Sequence, residues 1–355
     1  MHGSRPAGSP VLLTWFVDTI LHAKPMQSSL LPYSPSRMAL LLAFGMASFA
    51  FAPLFVRFAG DADPLALAFI RTGTAALVLL PFWLYRKKRG AAHGTAVPDI
   101  AGIGIAAPGS AIPDTATLYN LRDKWTAAAA GVLLGLHFIF WILAVQNTTI
   151  ASASILVTIH PVILIVIEAG FFKRLFPPLV WMGVFVAFGG SVLLGYSDAQ
   201  SVSFFEQALM GDLYAVIAAM LFAFYFLISQ KLRQKSDWLN YVFRVYAAAG
   251  AACLAAALIA GSDFRVEPAA WAAGVALALG PQILGHGSLN YAVKFVAPTI
   301  LATLILSEPV FATILAWIIF AEIPPFLTFP AMGIIITGIA LTWTARWRSK
   351  WGRNR

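Results

Sequence analysis

The chain has 355 residues, of which 60% are hydrophobic and only 11% charged, with a mean hydropathy of +0.80 and a net charge of +9. A soluble domain carries about 25% charged residues; so few Lys, Arg, Asp and Glu cannot cover a globule of this size, and disorder, which needs low hydrophobicity and high charge, is excluded more firmly. A single cysteine, Cys253, excludes an internal disulfide and a Cys-built zinc site, and lipid is left as the solvent for most of the chain.

In chain order, residues 1–37 form an N-terminal extension. Its stretch Val11–Ala23 is apolar except for Thr14, Asp18, Thr19 and His22, with 14, 18 and 22 on one helical face. Two readings stay open there, a disordered extension and an interfacial amphipathic helix. Asp18 and the lack of a small-x-small cleavage site argue against a signal peptide. Ten apolar runs follow: Met38–Phe58, Leu65–Tyr85, Thr126–Val145, Ile150–Phe171, Leu179–Tyr196, Gly211–Gln230, Trp238–Ala260, Ala270–Tyr291, Thr299–Phe320 and Phe326–Ala345. Each is long enough to cross about 30 Å of hydrocarbon as a helix. None shows the alternating polarity of a barrel strand. The predicted fold is therefore all-α and integral to the membrane, with ten spans.

Twenty of the 24 Lys and Arg fall before span 1, after spans 2, 4, 6 and 8, and in the tail. The other side has only Arg57 and Arg265, and Arg71 and Arg244 lie within spans. Basic residues gather on cytoplasmic loops, so both termini are expected in the cytoplasm of a cell-membrane protein. The charge of +9 is a topology signal, and nucleic acid is not an expected partner.

The sequence also repeats itself. A shift of 173 places Phe49-Ala50-Phe51 on Phe222-Ala223-Phe224 and Arg71 on Arg244. A shift of 148 places Ala144-Val145 on Ala292-Val293 and His160-Pro161-Val162 on Glu308-Pro309-Val310. The repeats are 38–196, with an inserted cytoplasmic loop at 87–124, and 211–346, followed by a basic tail at 347–355. Gly102 and Gly104 in the inserted loop lack the strand and capped helix of a nucleotide loop and read as linker. Five spans per repeat is odd, so the second copy is expected to run inverted through the membrane. Arg174 falling on Glu322 fits that reversal. Inverted repeats around a midplane site are a transporter architecture.

Leu301–Glu322, LATLILSEPVFATILAWIIFAE, resembles the signature of the EamA-type domain of the drug/metabolite transporter superfamily. Leu136–Pro161, LHFIFWILAVQNTTIASASILVTIHP, is similar to it, as is Phe69-Ile70-Arg71 in span 2. The resemblance covers 38–346. It implies two inverted five-helix repeats around a central cavity that carries small metabolites, with export of amino acids or related compounds one expectation. Here His160 stands for Glu308 and Arg174 for Glu322, so equivalence of those positions is not assumed.

Candidate cavity residues follow from what is costly in lipid. Pro161 and Pro309 each remove a helix hydrogen bond and free the carbonyls of Val157 and Ile305. Either they are kinks packed on a neighbour or they line the cavity. His160 and Glu308 precede them, and an ionisable group within a span usually faces a cavity or a partner; Glu308 is the candidate proton carrier. Gln282, His286 and Asn290 recur every four residues in span 8, and His137 and Trp141 are spaced likewise in span 3. Each set reads as a cavity wall or a hydrogen-bonded packing face. Arg71 and Arg244 lie about six residues inside their spans, about 9 Å at 1.5 Å per residue, shallow enough to snorkel. If they face the cavity instead, they favour an anionic group. Glu168, near Lys173 and Arg174, reads as structural. The expected partners are a small-molecule substrate and membrane lipids, with no cofactor and no bound metal. The histidines form no catalytic constellation, so an embedded enzyme ranks below a transporter, and a sensor or lipid-handling protein of the same fold is the alternative.

Overall fold

The structure, a computed structural model, describes residues 35–93, 120–148, 150–199, 208–320 and 323–351. The N-terminal stretch Val11–Ala23, the Gly102/Gly104 linker and Glu322 lie outside the described residues. Every element among the described residues is helical. Nine helices there are long and apolar enough to cross a membrane, and a shorter apolar helix, Pro178–Leu194, stands at span 5.

Span 1 comprises Pro35–Phe49 and Ala52–Phe58, span 2 Pro64–His93 and span 3 Leu121–Asn147. Span 4 is divided into Ile150–Val157 and His160–Gly170, and span 5 is Pro178–Ala199. Spans 6 and 7 are Ala208–Arg233 and Trp238–Ala260. Span 8 joins Pro268–Leu277, a π-helical segment Ala278–His286, and Gly287–Ala292. Span 9 is divided into Pro298–Ile305 and Glu308–Phe320, and span 10 is Thr328–Trp351.

Local chemistry sets these limits. Pro64, Pro178, Pro268 and Pro298 each open a helix, where the missing N–H costs nothing. Asn120 and Asp237 cap spans 3 and 7 by accepting from the backbone N–H of Asp123 (2.8 Å) and Asn240 (3.0 Å). Gly261, at φ 70°, closes span 7 in the left-handed conformation that glycine adopts without strain. Spans 2 and 3 outrun their apolar runs, reaching His93 and starting at Leu121. Hydropathy ends where charge begins, whereas the backbone ladder continues through charged residues.

Span 3 packs along span 6 and span 1 along span 8; span 7 packs on span 3 and span 2 on span 8. Spans 2 and 7, 4 and 9, and 5 and 10 pack on each other. Each of these pairings has its counterpart when spans 1–5 are exchanged with spans 6–10. Apolar clusters fill the bundle on either side of a central gap. One gathers around Tyr225, Val245, Leu289 and Leu301 toward the basic loops, the other around Val56, Leu67, Ile142 and Leu277.

The span 5–span 10 contact is a close approach of two backbones. A Cβ on Gly338 would lie 2.3 Å from the Ala187 nitrogen, and one on Gly183 would lie 2.7 Å from the Thr342 nitrogen. In lipid, where apolar burial gives helices no net attraction, such approach is what holds a pair together. Gly333, on the same helix, has nothing within 4 Å of its Cβ position. Gly338→Val is expected to cost about 1–3 kcal/mol of stability through overpacking, read as a lowered unfolding midpoint in detergent, while Gly333→Ala shifts it little. Equal midpoints for the two variants would mean that spans 5 and 10 do not pack this way.

Candidate functional site

The gap between the two clusters is a cavity with about 440 Å³ of empty space, its open mouth included. Its polar lining is Arg71, His137, Trp141, His160, His286 and Glu308. Its apolar lining is Phe49, Phe138, Phe222, Val157, Ile305 and Ala52.

Helix breaks set it at this level. Pro53, Pro161 and Pro309 stand just past the interruptions of spans 1, 4 and 9. Each proline deprives the carbonyl four residues before it of its helical partner, and those residues are Phe49, Val157 and Ile305. All three line the cavity. Irregular backbone is tolerated in a bilayer only where protein or water satisfies it. At span 4 the protein does so, because His160 Nδ1 lies 2.8 Å from the Val157 oxygen. Pro161 and Pro309 are buried behind the lining.

Arg71 is 2% exposed, so it does not snorkel. Its guanidinium carbon stands 3.7 Å over the Phe138 ring and 5.6 Å from that of Trp141. Its Nε donates to Gln282 Oε1 at 3.0 Å. Gln282 in turn is fixed by its main-chain oxygen, which accepts from the Tyr246 hydroxyl at 2.7 Å. Glu308 is half-buried at the opening of the second helix of span 9. Among the described residues it has no hydrogen-bond partner and no ion pair within 4.0 Å, Arg71 included. His137 Nδ1 lies 2.8 Å from the Ala218 oxygen, and the His286 ring meets those of Phe49 and Phe138 edge-on at 4.8 and 5.0 Å. The described residues contain no group of His, Cys, Asp and Glu that could hold a metal ion.

The polar stripe expected in span 8 does not stay on one wall. His286 lines the cavity, Gln282 sits one shell behind Arg71, and Asn290 turns away to accept from the Tyr225 hydroxyl at 2.7 Å. Partners on other spans decide this, because Asn290 follows His286 through the regular α-helix Gly287–Ala292 and is held by Tyr225, while Gln282 is held by Arg71. Arg244 also lies away from the cavity; its Nε donates to Asn240 Oδ1 at 2.9 Å and its guanidinium stands 5.8 Å from the Trp83 ring. Sequence reasoning missed Phe49, Phe138 and Phe222 as lining residues. A signal for them was present in the repeat. The shifts of 173 and 148 pair Phe49 with Phe222, Phe138 with His286, Val157 with Ile305, and His160 with Glu308. Eight of the twelve lining residues are thus paired across the halves, and the four unpaired ones, Ala52, Arg71, His137 and Trp141, all come from the first.

These features define a polytopic helical membrane protein with a charged central cavity. The chain matches the profile of the EamA-like transporter family over residues 36–196 and again over 209–344, and it belongs to that family, within the drug/metabolite transporter superfamily. It is 27% identical over 314 residues to an uncharacterized transporter of Archaeoglobus fulgidus, covering 86% of this chain and 97% of that one. It is 22% identical over 213 residues to the uncharacterized transporter YdfC of Bacillus subtilis, covering 59% and 68%. A solved crystal structure shares the fold with a TM-score of 0.65 at 19% identity, over 88% of this chain and 100% of that one.

Toward the basic loops, Glu168 is fully buried and accepts from the backbone N–H (3.0 Å) and hydroxyl (2.5 Å) of Thr299. It also pairs with Arg174, which reaches Gln230 Oε1 at 3.3 Å. One carboxylate therefore ties the end of span 4 to the start of span 9. Glu168→Ala leaves Arg174 and the Thr299 N–H without it, and is expected to lower stability by about 3 kcal/mol. Reversible unfolding in mixed micelles measures this, and a loss below about 1 kcal/mol would show that the tie is not structural.

Proposed function

We propose that the chain carries a small metabolite across the cell membrane by alternating access, outward and in exchange for protons. The loops after spans 2, 4, 6 and 8 then lie in the cytoplasm, as their basic residues favour. One observation carries the reading: eight of the cavity's twelve lining residues are paired across the two halves, at the level where spans 4 and 9 are both broken. A site on the axis between two related halves is exposed to alternate sides when one half rocks against the other. Membership of a transporter family supports the same function.

Glu308 is the proton carrier in this scheme. It is the cavity's carboxyl group, it has no hydrogen bond and no ion pair within 4.0 Å among the described residues, and an ionisable group at such depth is costly unless it serves a pathway. Purified protein in proteoliposomes, loaded with a metabolite library and subjected to a pH gradient, tests the proposal. Saturable flux driven by the gradient is expected, and Glu308→Gln should abolish the proton dependence while flux down a substrate gradient persists. Unchanged pH dependence in that variant would remove Glu308 as the carrier. A folded protein that moves no compound would overturn transport itself.

A further inference from the structure

The shifts that pair the two halves leave the two sides of the cavity unlike. Toward the basic loops, Tyr225, Ser229 and Arg233 recur every four residues in span 6, and Gln282, His286 and Asn290 do so in span 8. Tyr241 and Tyr246 of span 7 meet these rows. The Tyr241 hydroxyl lies 2.5 Å from Ser229 Oγ, and that of Tyr246 donates to the Gln282 main-chain oxygen at 2.7 Å. All eight side chains are buried. The shift of 173 places Tyr225, Ser229 and Arg233 on Ala52, Val56 and Gly60, and the two tyrosines on Ala68 and Gly73. The shift of 148 places Gln282, His286 and Asn290 on Leu134, Phe138 and Ile142. Every counterpart is apolar or glycine, and Ala52, Val56, Ala68 and Ile142 lie in the cluster on the far side of the cavity. A polar file therefore leads from the cavity toward one face of the membrane only.

The file does not satisfy itself. Gln282 Oε1 accepts from Arg71 and Asn290 Oδ1 accepts from Tyr225. Gln282 Nε2, Asn290 Nδ2 and His286 Nδ1 are buried with no hydrogen-bond partner among the described residues. Packing does not call for these groups, because Leu134 and Ile142 occupy the related places without them. A buried polar atom left unpaired is destabilising, and enclosed water is what pairs such atoms in protein interiors. The spacing suits it. One helical turn rises about 5.4 Å, and two hydrogen bonds of about 2.8 Å meeting at one water span about as much.

We propose that span 8 holds a file of water molecules between the cavity and the basic-loop side, and that protons reach Glu308 along it. The proposal rests on the proton-exchange reading above and names the route to its carrier. Ser229 and Tyr241 stand about one helical turn inside the loop between spans 6 and 7, where the file begins. His286 and Glu308 both line the cavity, where it ends. An excess proton enters at the hydroxyls, each water accepts one proton and passes another on, and the last transfer protonates the Glu308 carboxylate. No water is consumed. The amides of Gln282 and Asn290 orient the waters and do not titrate. Arg71 and Arg233, bonded to the Gln282 side chain and the Asn290 carbonyl, repel a hydronium that lingers, so the proton comes to rest on Glu308. On the opposite side the apolar counterparts offer no such file, so exchange there waits until the cavity itself opens.

Radiolytic hydroxyl-radical footprinting of the full chain in lipid nanodiscs tests for the water. The radicals form from water itself, so a buried ring is labelled where water lies against it. Tyr225 and Tyr246 are expected to be labelled several-fold faster than Phe226, which is as deeply buried. Asn290→Leu should remove that excess. Equal rates for the three rings in the unmodified protein would overturn the file. Proton delivery is read separately, by time-resolved infrared absorption after a proton pulse from a caged acid. The carboxyl band that Glu308→Gln removes reports arrival at Glu308. Asn290→Leu should slow its rise about 10-fold, the rate equivalent of one hydrogen bond lost from the path, with its final height unchanged. If that variant does not fold, Tyr225→Phe, which removes a single hydroxyl, takes its place with the same expectation. A band that rises as fast in the variant would overturn the route and leave Glu308 as the carrier. If no such band appears, Glu308 is not the carrier, and labelled tyrosines would leave the water standing without that role.

Discussion

In a bilayer every backbone N–H and C=O must find a partner within the protein, and this constraint organises the molecule. Seven of the ten spans run without a break between helical segments, although Pro81 in span 2 and Pro281 in span 8 each remove one ladder bond, and these spans supply the long contacts between neighbours. Spans 1, 4 and 9 break, each just ahead of a proline, and the breaks lie at one level. Polar backbone exposed there needs a polar interior, and a polar interior is what admits histidine, arginine and glutamate so far from water. The cavity is thus the place where the ladder is allowed to fail. The His160 side chain, bonded to the carbonyl that Pro161 strands, shows the exchange in a single residue.

The two halves share a scaffold and divide the chemistry. All four lining residues of the second half have a lining counterpart in the first, whereas Ala52, Arg71, His137 and Trp141 have none. Duplication explains the position of the cavity, and divergence of the first half supplies its cation and part of its aromatic wall. Arg71 and Arg244 show how far the divergence goes. They occupy matching positions under the shift of 173, yet one stacks on Phe138 within the cavity and the other is held by Asn240 beside Trp83. The difference lies in their surroundings: Gln282 reaches Arg71 from the π-helical stretch of span 8, and the straight span 3 that matches span 8 in the first half offers no such residue to Arg244.

The spans were legible in the sequence because burial in lipid demands an unbroken apolar run, and composition alone reports that. The breaks of spans 4 and 9 were legible because proline has one dominant effect in a helix. The same logic applies to Pro53, whose break in span 1 brings Phe49 to the cavity, although an apolar residue beside a proline draws no notice by its own chemistry. Two things were hidden. Four-residue spacing in span 8 groups Gln282, His286 and Asn290, but which of them lines the cavity depends on partners distant in sequence, Arg71 for Gln282 and Tyr225 for Asn290. Whether an arginine snorkels or turns inward is decided by partners distant in sequence, here Gln282 and Phe138.

For the alternating access proposed above, the ties across the bundle differ between its ends. Toward the basic loops, Glu168 holds Thr299 and Arg174, Arg86 pairs with Asp237 at 3.1 Å, and Lys235 pairs with Asp123 at 3.2 Å. At the other end, Asp212 accepts from Thr148 (2.9 Å) and Ser152 (2.6 Å). All of these contacts except that of Glu168 with Arg174 join the first half to the second, so a rocking motion must release one group while keeping the other. The buried Glu168 contact is the costlier to open, because its carboxylate has no solvent to replace Thr299 and Arg174. The Asp212 contact joins a buried Thr148 to the half-buried Asp212 and Ser152, and water can take over hydrogen bonds at the half-buried groups. On this ground the end bearing the basic loops is the more firmly closed in this conformation, and opening it needs the larger compensation.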